Sequence, residues 1–331
     1  MKPHPSILFF TWLAGLGQGL LLALAALEFT RGDVLAASAR DLAGAVALGV
    51  ALLAAGLVAS VFHLGRPSRG WRAASQWRTS WLSREVIVLP ALMAATTLHA
   101  ALLWMTEDVS APAVRATAAA CVGLALALWW CTGMIYAGLR MVQAWATPLT
   151  PLVFAALGAA GGTLLAGAWC ARVAVTGDGF EDGGSEVVAL LAVAAAALVV
   201  VASVLKALWW QRLRTLMPRS TLQSALAIPR PQIRQLAMGM TGGSFNTREF
   251  FHGRSPAVVH VMAAAMVLFA GAVPLLLAVI GWQQAVHGEV DAAALTLGGA
   301  VVAHSLGVLA ERWLFFAWAQ HPQNLYYQRV S

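Results

Sequence analysis

The stretch VFHLGRPSRGWRAASQWRTSWLSREVIV, which runs from Val61 to Val88, is a charged loop enclosed by two apolar segments. It contains five arginines, three tryptophans, one histidine and one glutamate, while the segments 42–64 and 85–105 on its two sides are apolar and helix-length. Helices are the default for such segments in lipid, because the backbone must form its hydrogen bonds within the segment. The stretch therefore predicts a membrane-embedded helical hairpin whose loop gathers charge at one face.

The composition of the whole chain supports the same fold class. The 331 residues are 60% hydrophobic and 11% charged, and the mean hydropathy is +0.74. A soluble domain carries roughly 25% charged residues, so these charges are too few to cover a surface in water. Apolar segments of about 20 residues are long enough to cross the hydrocarbon core of a bilayer. We therefore predict an all-α integral membrane protein whose eight transmembrane helices form one bundle.

The predicted spans extend over a single membrane domain, residues 1–331. The first span is long enough to cross the membrane, and no early cleavage site with small residues follows a basic segment, so it is predicted to be a retained helix. The eight spans are predicted at 7–27, 42–64, 85–105, 114–138, 150–173, 186–210, 257–281 and 292–318.

Lysine and arginine are distributed unequally between the two faces of the predicted bundle. An even number of spans places both termini on one face, which carries 17 of these residues, whereas the opposite face carries 4. Since basic residues are retained in cytoplasmic loops, both termini are predicted to be cytoplasmic. The topology accounts for the net charge of +7, so no nucleic-acid partner is predicted. Anionic lipid headgroups are a compatible partner.

The cysteines do not form a metal-binding pattern. Cys121, Cys131 and Cys170 lie separately inside apolar segments, with no CxxC spacing. Iron–sulfur clusters and structural zinc require closely grouped thiolates. We therefore predict no metal site within this chain.

His63 and Glu85 form a candidate pair for redox-linked proton chemistry. They end the second span and begin the third on the same face, so both are expected near the boundary of lipid and water, where ionisable groups indicate function. A quinone site needs an apolar slot, a donor to a carbonyl oxygen and a titratable path to water, and histidine titrates near neutrality. The alternative is structural: Glu85 pairs with Arg84 or Arg78, and His63 satisfies a helix-end carbonyl.

The tryptophans of the loop also admit two interpretations. Trp71, Trp77 and Trp81 could form amphipathic walls for a quinone at headgroup depth, or could be ordinary interfacial tryptophans. Arg66 lies beside the histidine in sequence and belongs to the same candidate quinone site.

Two histidines within the spans raise the possibility of haem b. His99 and His304 are each predicted roughly 21 Å from the cytoplasmic end of their spans, since a helix rises about 1.5 Å per residue. A level pair of histidines can hold a haem between helices. Two unrelated helix contacts explain the positions equally well, because equal depth does not make two helices face one another.

Residues 206–256 are predicted to be a long cytoplasmic docking loop, which contains MGMTGGSFNTREFFHGRS. Loops of this length are usually functional or disordered. Phe245, Phe250 and Phe251 would be unfavourably exposed to water, so a soluble partner that covers them is expected.

The loop FHLGRPSRGWRAASQWRTSWLSRE resembles the signature of the membrane-anchor subunits of dimethyl sulfoxide reductase-type molybdoenzymes. The matching residues are His63 to Pro67, Arg72-Ala73 and Trp77 to Glu85, and the eight spans extend the resemblance over nearly the whole chain. The resemblance implies an integral subunit of a bacterial inner membrane that binds an iron–sulfur subunit with four clusters and a molybdopterin catalytic subunit. It also implies a quinone site, for ubiquinone or menaquinone, near His63 and Glu85, and it disfavours haem.

Two further segments, TGGSFNTREFFHG and ERWLFFAWAQHPQNLYY, are similar to the anchors of cytoplasmic sulfite dehydrogenases, although Trp318 stands where that resemblance predicts an acidic residue. The resemblance implies quinone reduction coupled to sulfite oxidation in a partner. The alternative within the family is menaquinol oxidation for reduction of dimethyl sulfoxide or another S- or N-oxide. A structural tether and a transporter are the competing classes, and a transporter would require ionisable groups through the depth of the spans.

Overall fold

The computed structural model describes residues 1–35, 38–62, 64–176, 183–234, 236 and 245–326. In this part of the chain every regular element is a helix, and eight spans are long and apolar enough to cross a membrane. The prediction of an all-α protein with eight transmembrane helices is therefore confirmed. The α-helices are α1 (Pro5–Thr30), α2 (Ala39–Val61), α3 (Trp81–Thr106), α4 (Pro112–Ala137), α5 (Leu149–Thr176), α6 (Gly184–Thr215), α7 (Leu222–Leu226), α8 (Phe245–Glu249), α9 (Pro256–Met266), α10 (Val273–Val286), α11 (Val290–Ala317) and α12 (Gln323–Tyr326).

The predicted docking loop begins later than the sequence pattern indicated. α6 continues as a helix to Thr215, so residues 206–215 belong to the sixth span and its extension. Arg212 and Arg214 lie in the last turn, where cations interact favourably with the carboxyl end of a helix. The connection to the seventh span therefore covers residues 216–255 and includes the short helices α7 and α8.

The beginning and the end of the described chain lie on the same side of the bundle. The amino group of Met1 donates a hydrogen bond to the carbonyl oxygen of Ala319 over 2.8 Å. We call this side the terminal face; it also carries the described residues of the connections 62–80, 138–148 and 216–255 and those of 318–326. The opposite face carries the connections on the other side of the spans, among them 107–111 and 287–289.

Glycines bring α1 and α5 into close contact at the centre of the bundle. Gly15 and Gly19 of α1 face Gly158 and Gly162 of α5, and both pairs have the spacing of a small-xxx-small motif. A Cβ atom on Gly19 would lie 2.0 Å from the carbonyl oxygen of Gly158, and one on Gly162 would lie 2.0 Å from the carbonyl carbon of Gly19. Only hydrogen fits at these two positions, and the helix pair they form contacts α2, α4, α6 and α11.

The seventh span changes its helical geometry at mid-length. A π-helical segment, Val267–Ala272, joins α9 to α10, and Pro274 follows as the second residue of α10. Gly307 of α11 packs directly on this segment, since a Cβ there would lie 2.0 Å from the amide nitrogen of Ala270. π-helical segments often occur at functional positions in helices, and this one presents the Ala270 carbonyl to a neighbouring span.

A layer of packed aromatic rings lies at the end of the bundle beneath the terminal face. The rings of Trp145 and Phe315 are stacked at 5.3 Å between centroids, and Tyr136 packs edge-on against both. The indole nitrogen of Trp145 also donates to the carbonyl oxygen of Phe315 over 2.9 Å. This layer fixes the end of α11 against the 138–148 connection.

The 216–255 connection is attached to both ends of the described chain. The Asn246 amide donates to the Asn324 side-chain oxygen over 2.8 Å, and the Asn324 amide donates to the Phe250 carbonyl over 2.9 Å. The backbone N–H of Lys2 donates to the Glu249 carbonyl over 2.6 Å. Phe250 is partly covered by Trp145, whereas Phe245 remains 66% exposed. The terminal face is thus an ordered surface built from three distant parts of the sequence.

Candidate functional site

The two members of the predicted His63–Glu85 pair differ in what the structure describes. His63 lies outside the described residues. Its proximity to Glu85 therefore stays a prediction.

Glu85 is a buried carboxylate near the terminal-face end of α3. The helix begins cleanly because the Ser80 hydroxyl accepts a hydrogen bond from the backbone N–H of Ser83 over 3.3 Å. This start turns Glu85 toward α4, where its carboxylate accepts a hydrogen bond from the hydroxyl of Thr132. Glu85 is 5% exposed and Thr132 is 8% exposed, so the pair lies inside the seam between the two helices. Sequence reasoning missed Thr132, because nothing in the pattern of α4 marks which face meets α3.

The ion pair of Glu85 with Arg84 or Arg78, which was the structural alternative, is absent from the described contacts. Arg84 instead donates to the carbonyl oxygens of Trp77 and Arg78, each over 2.9 Å, and closes the loop back onto α3. The carboxylate of Glu85 therefore has a neutral hydroxyl as its recorded polar partner. Among the described contacts, no cation therefore neutralises this carboxylate.

Trp81 shares a helix face with Glu85, because residues four apart lie one above the other. Its ring packs near Gly138 at the end of α4 and carries the Arg84 guanidinium 4.1 Å above its centroid. The structure thus brings Trp81 and Glu85 together on the seam between α3 and α4.

Arg66 and Trp71 lie on the outer side of the loop. Arg66 directly precedes a 3-10 helix, Pro67–Gln76, and Trp71 lies within it. Trp71 is 72% exposed, and the Arg72 guanidinium lies 5.4 Å from the centre of its ring. The described contacts do not bring either side chain to the buried carboxylate. Their predicted part in a quinone site stays a prediction.

Apolar side chains surround this loop on the outside of the bundle. A lipid-soluble molecule that reaches the ends of α2 and α3 from the bilayer would therefore meet apolar side chains. The exposed residues of this kind are Val58, Val61, Phe62, Trp77, Leu82 and Ile87.

His99 and His304 do not form a haem site. The ring nitrogens of His99 lie 3.0 Å from Glu28 Oε1 and 3.0 Å from Thr117 Oγ1, in contacts with α1 and α4. Those of His304 lie 3.2 Å from the Ala270 carbonyl and 3.0 Å from the Leu157 carbonyl. Every ring nitrogen thus faces an oxygen of the protein, and the partners of His99 and of His304 lie on different helices. The surroundings of the two imidazoles therefore do not fit the axial ligands of a haem.

The buried partner of His99 was missed in the sequence. Glu28 follows the predicted end of the first span at residue 27, yet it is 1% exposed in the last turns of α1. A histidine inside a span and an acid near the end of another could have suggested the pairing. The result is a carboxylate–imidazole pair on the opposite-face side of the bundle.

A second buried ionic cluster lies nearer the terminal face. The Lys206 amine donates to Glu311 Oε1 over 2.6 Å, and Arg312 Nη1 lies 2.9 Å from Glu311 Oε2. Lys206 was predicted at the start of the docking loop and Arg312 near the end of the eighth span, and their side chains are 7% and 2% exposed. The Lys206 amine also lies 3.9 Å from the centre of the Trp209 ring. With two cations and one carboxylate, the cluster has an excess of positive charge.

The terminal face contains a cavity of about 590 Å³. Its walls come from the 138–148 connection, the start of the 216–255 connection, Phe250 and the residues that follow α11. Trp318, which replaces an expected acidic residue, forms part of the wall and stacks on Trp209 with 5.9 Å between centroids. The cavity is separate from the seam that holds Glu85.

Comparisons with known proteins agree with this architecture. Residues 1–306 match the family described as DMSO reductase anchor subunit (DmsC). The chain is also 40% identical, over 344 aligned positions that cover the whole of both chains, to a sulfite dehydrogenase subunit of Allochromatium vinosum.

Proposed function

This chain belongs to the DMSO reductase anchor subunit family, and from that premise we propose that it is the quinone-reactive membrane anchor of a three-subunit molybdopterin oxidoreductase. In this role it passes electrons between the quinone pool and an iron–sulfur partner with four clusters, which in turn serves a molybdopterin catalytic subunit. The proposal places the terminal face in the cytoplasm of a bacterium, in agreement with the lysine and arginine bias.

The observation that carries the proposal is the Glu85 carboxyl group, buried beside Thr132 at the end of the α3–α4 seam. Reduction of a quinone takes up two electrons and two protons, so its site requires a group that can deliver protons from water into apolar surroundings. Glu85 meets this need, because α3 begins only one turn away at the loop of the terminal face. The exposed apolar residues around the loop support access from lipid.

The proposal assigns a role to each residue of the quinone site. His63 donates a hydrogen bond to a quinone carbonyl, and Glu85 relays protons between the quinone oxygen and water. Trp81, on the same face of α3, forms a wall of the slot. Arg66 and Trp71 line its approach from the loop, while Arg78 and Arg84 orient the loop for the iron–sulfur partner.

We propose the direction of electron flow from the similarity to the sulfite dehydrogenase subunit, which aligns over the whole chain. Oxidation of sulfite with water to sulfate releases two electrons and two protons in the catalytic partner, and the quinone is reduced here. The alternative is the opposite direction, in which menaquinol is oxidised here and dimethyl sulfoxide or another S- or N-oxide is reduced in the catalytic partner; the name of the family is compatible with it.

The test compares two electron acceptors in the purified complex. Glu85→Gln keeps the size of the side chain and its contact with Thr132 but removes the ionisable group. We expect turnover with a quinone to fall at least about tenfold, since a positioned acid–base group contributes roughly 10²–10⁴-fold. Turnover with a water-soluble dye that accepts electrons from the partner subunits should stay unchanged.

Glu249→Gln is the matched control, because this carboxylate lies on the terminal face and pairs with His4 over 3.2 Å, outside the seam. His63→Gln tests the donor to the quinone carbonyl in the same assay. Full quinone turnover in Glu85→Gln would reject the relay and favour an anchor that only tethers its partners.

A further inference from the structure

The cavity of the terminal face lies on the water side of the spans. Its lining residues come from four distant parts of the chain, and all but Leu213 lie beyond the ends of the transmembrane helices. Its volume of about 590 Å³ is within the range of sites that hold a small molecule or a short stretch of polypeptide. An occupant therefore arrives from the aqueous side and not from the hydrocarbon core.

The walls of the cavity combine exposed guanidinium groups with aromatic surface. Arg140 and Arg219 are exposed on its walls, and Phe250, Trp318 and His321 provide ring surfaces. None of the lining residues is acidic. Guanidinium groups bind carboxylates in pairs of parallel hydrogen bonds, so the walls are suited to Asp and Glu side chains.

The buried ionic cluster behind the cavity is positively charged, like the arginines on the walls of the cavity. The Lys206 amine lies 5.9 Å from the centre of the Trp318 ring, whose indole also lines the cavity. Lys206 and Arg312 share one carboxylate, Glu311, so the buried cluster has more positive than negative charge. Buried charges are screened less by salt than exposed ones, so this excess contributes to the potential within the cavity.

The terminal face offers little negative charge of its own to neutralise that potential. Among its described connections and end segments, Glu249 is the one acidic residue, and it pairs with His4. An occupant with carboxylates would therefore supply the charge that this face lacks.

We propose that the cavity receives an acidic segment of the protein subunit that docks on the terminal face, and that Arg140 and Arg219 pair with its carboxylates. The inference rests on the proposed function, because the docked protein is the iron–sulfur partner. It assigns to this cavity a docking role that is independent of the quinone site at Glu85.

The first test is a charge reversal in the complete complex. In Arg140→Glu/Arg219→Glu we expect the iron–sulfur subunit to dissociate at least about tenfold more readily from the tagged, detergent-solubilised anchor, which corresponds to about 1.4 kcal/mol. The control is Arg254→Glu, since Arg254 is exposed on the same face but does not line the cavity. Equal retention of the subunit in the double variant and the control would overturn the proposal.

The second test identifies the occupant. A photo-cross-linking amino acid at Gln320, an exposed wall residue, should attach to a segment of the iron–sulfur subunit that contains Asp or Glu. Replacing those acids by arginine should restore retention in the double variant. Cross-links from residue 320 only to this chain would overturn the proposal. The proposal would also be overturned if Arg140→Glu/Arg219→Glu lost bound anionic phospholipid but retained the iron–sulfur subunit.

These outcomes are distinguishable from failure of the quinone proposal. Retention and cross-linking are measured without quinone or turnover, whereas Glu85→Gln is judged only by the choice of electron acceptor.

Discussion

Glu28 and His99 meet inside the bundle, with 3.0 Å between the carboxylate Oε1 and the imidazole Nε2. α1 supplies the acid and α3 the base, and the Thr117 hydroxyl of α4 holds the second ring nitrogen. Glu28 Oε2 has no hydrogen-bond partner among the described residues, so the imidazole is the main compensation for a carboxylate in apolar surroundings. The contact therefore joins three spans on the opposite-face side.

Replacing one residue of the Glu28–His99 pair should lower the free energy of unfolding far more than replacing both. His99→Leu leaves Glu28 buried without its partner, and we expect the free energy of unfolding to fall by about 3–5 kcal/mol. The double variant Glu28→Leu/His99→Leu should recover most of this loss, because replacement of both partners by apolar groups is often nearly neutral. The measurement is unfolding of the detergent-solubilised protein.

The matched control for this pair is Glu107→Gln. It breaks the exposed pair of Glu107 with Arg40, which should change the free energy of unfolding by less than about 1 kcal/mol. A loss in His99→Leu no larger than in this control would show that the buried pair does not stabilise the bundle.

The sequence was sufficient for the spans but not for these contacts. The spans follow from hydropathy, which is a property of each segment taken alone, and each predicted span coincides with one observed span. The largest differences are at two ends: α6 continues from the predicted end at 210 to Thr215, and the seventh span continues from 281 to Val286. Which face of α1 meets α3 depends on helix rotation, and spans that are apolar on all sides carry little signal for it. Glu28 and Thr132 were therefore missed, whereas Glu85 and Trp81 were predicted from the loop motif.

The buried ionic cluster yields a prediction about the order of three variants. Glu311→Gln leaves Lys206 and Arg312 with no countercharge, so it should lower the free energy of unfolding by about 3–5 kcal/mol. Lys206→Met and Arg312→Met each leave one cation paired with Glu311, so both should cost less. Melting temperatures of the three purified variants check the order, and a Glu311→Gln variant more stable than Lys206→Met would contradict it.

The contact of α1 with α5 gives a test of the packing at the centre. Gly162→Ala adds a Cβ 2.0 Å from the carbonyl carbon of Gly19, which forces the helices apart. We expect a loss of about 1–3 kcal/mol or more, as in overpacked cores, and a lower yield of folded protein. Gly123→Ala is the control, because nothing lies within 4 Å of a Cβ at that position of α4. That variant should be neutral or slightly more stable, since alanine favours a helix.

His321 should make the end of the described chain sensitive to pH. Its Nδ1 accepts the backbone N–H of Gln323 over 3.3 Å, and its ring packs 5.1 Å from that of Phe250. Burial lowers the pKa of His321 below its ordinary value of 6.5, so the folded protein favours the neutral imidazole. The contribution to stability is therefore complete above pH 6.5 and is lost as the pH falls through the lowered pKa. Hydrogen exchange at residues 321–326, corrected for the intrinsic rate, should be faster at pH 5.5 than at pH 7.5. His321→Gln should remove this difference, because glutamine does not titrate, and an equal difference in that variant would assign the effect to another group.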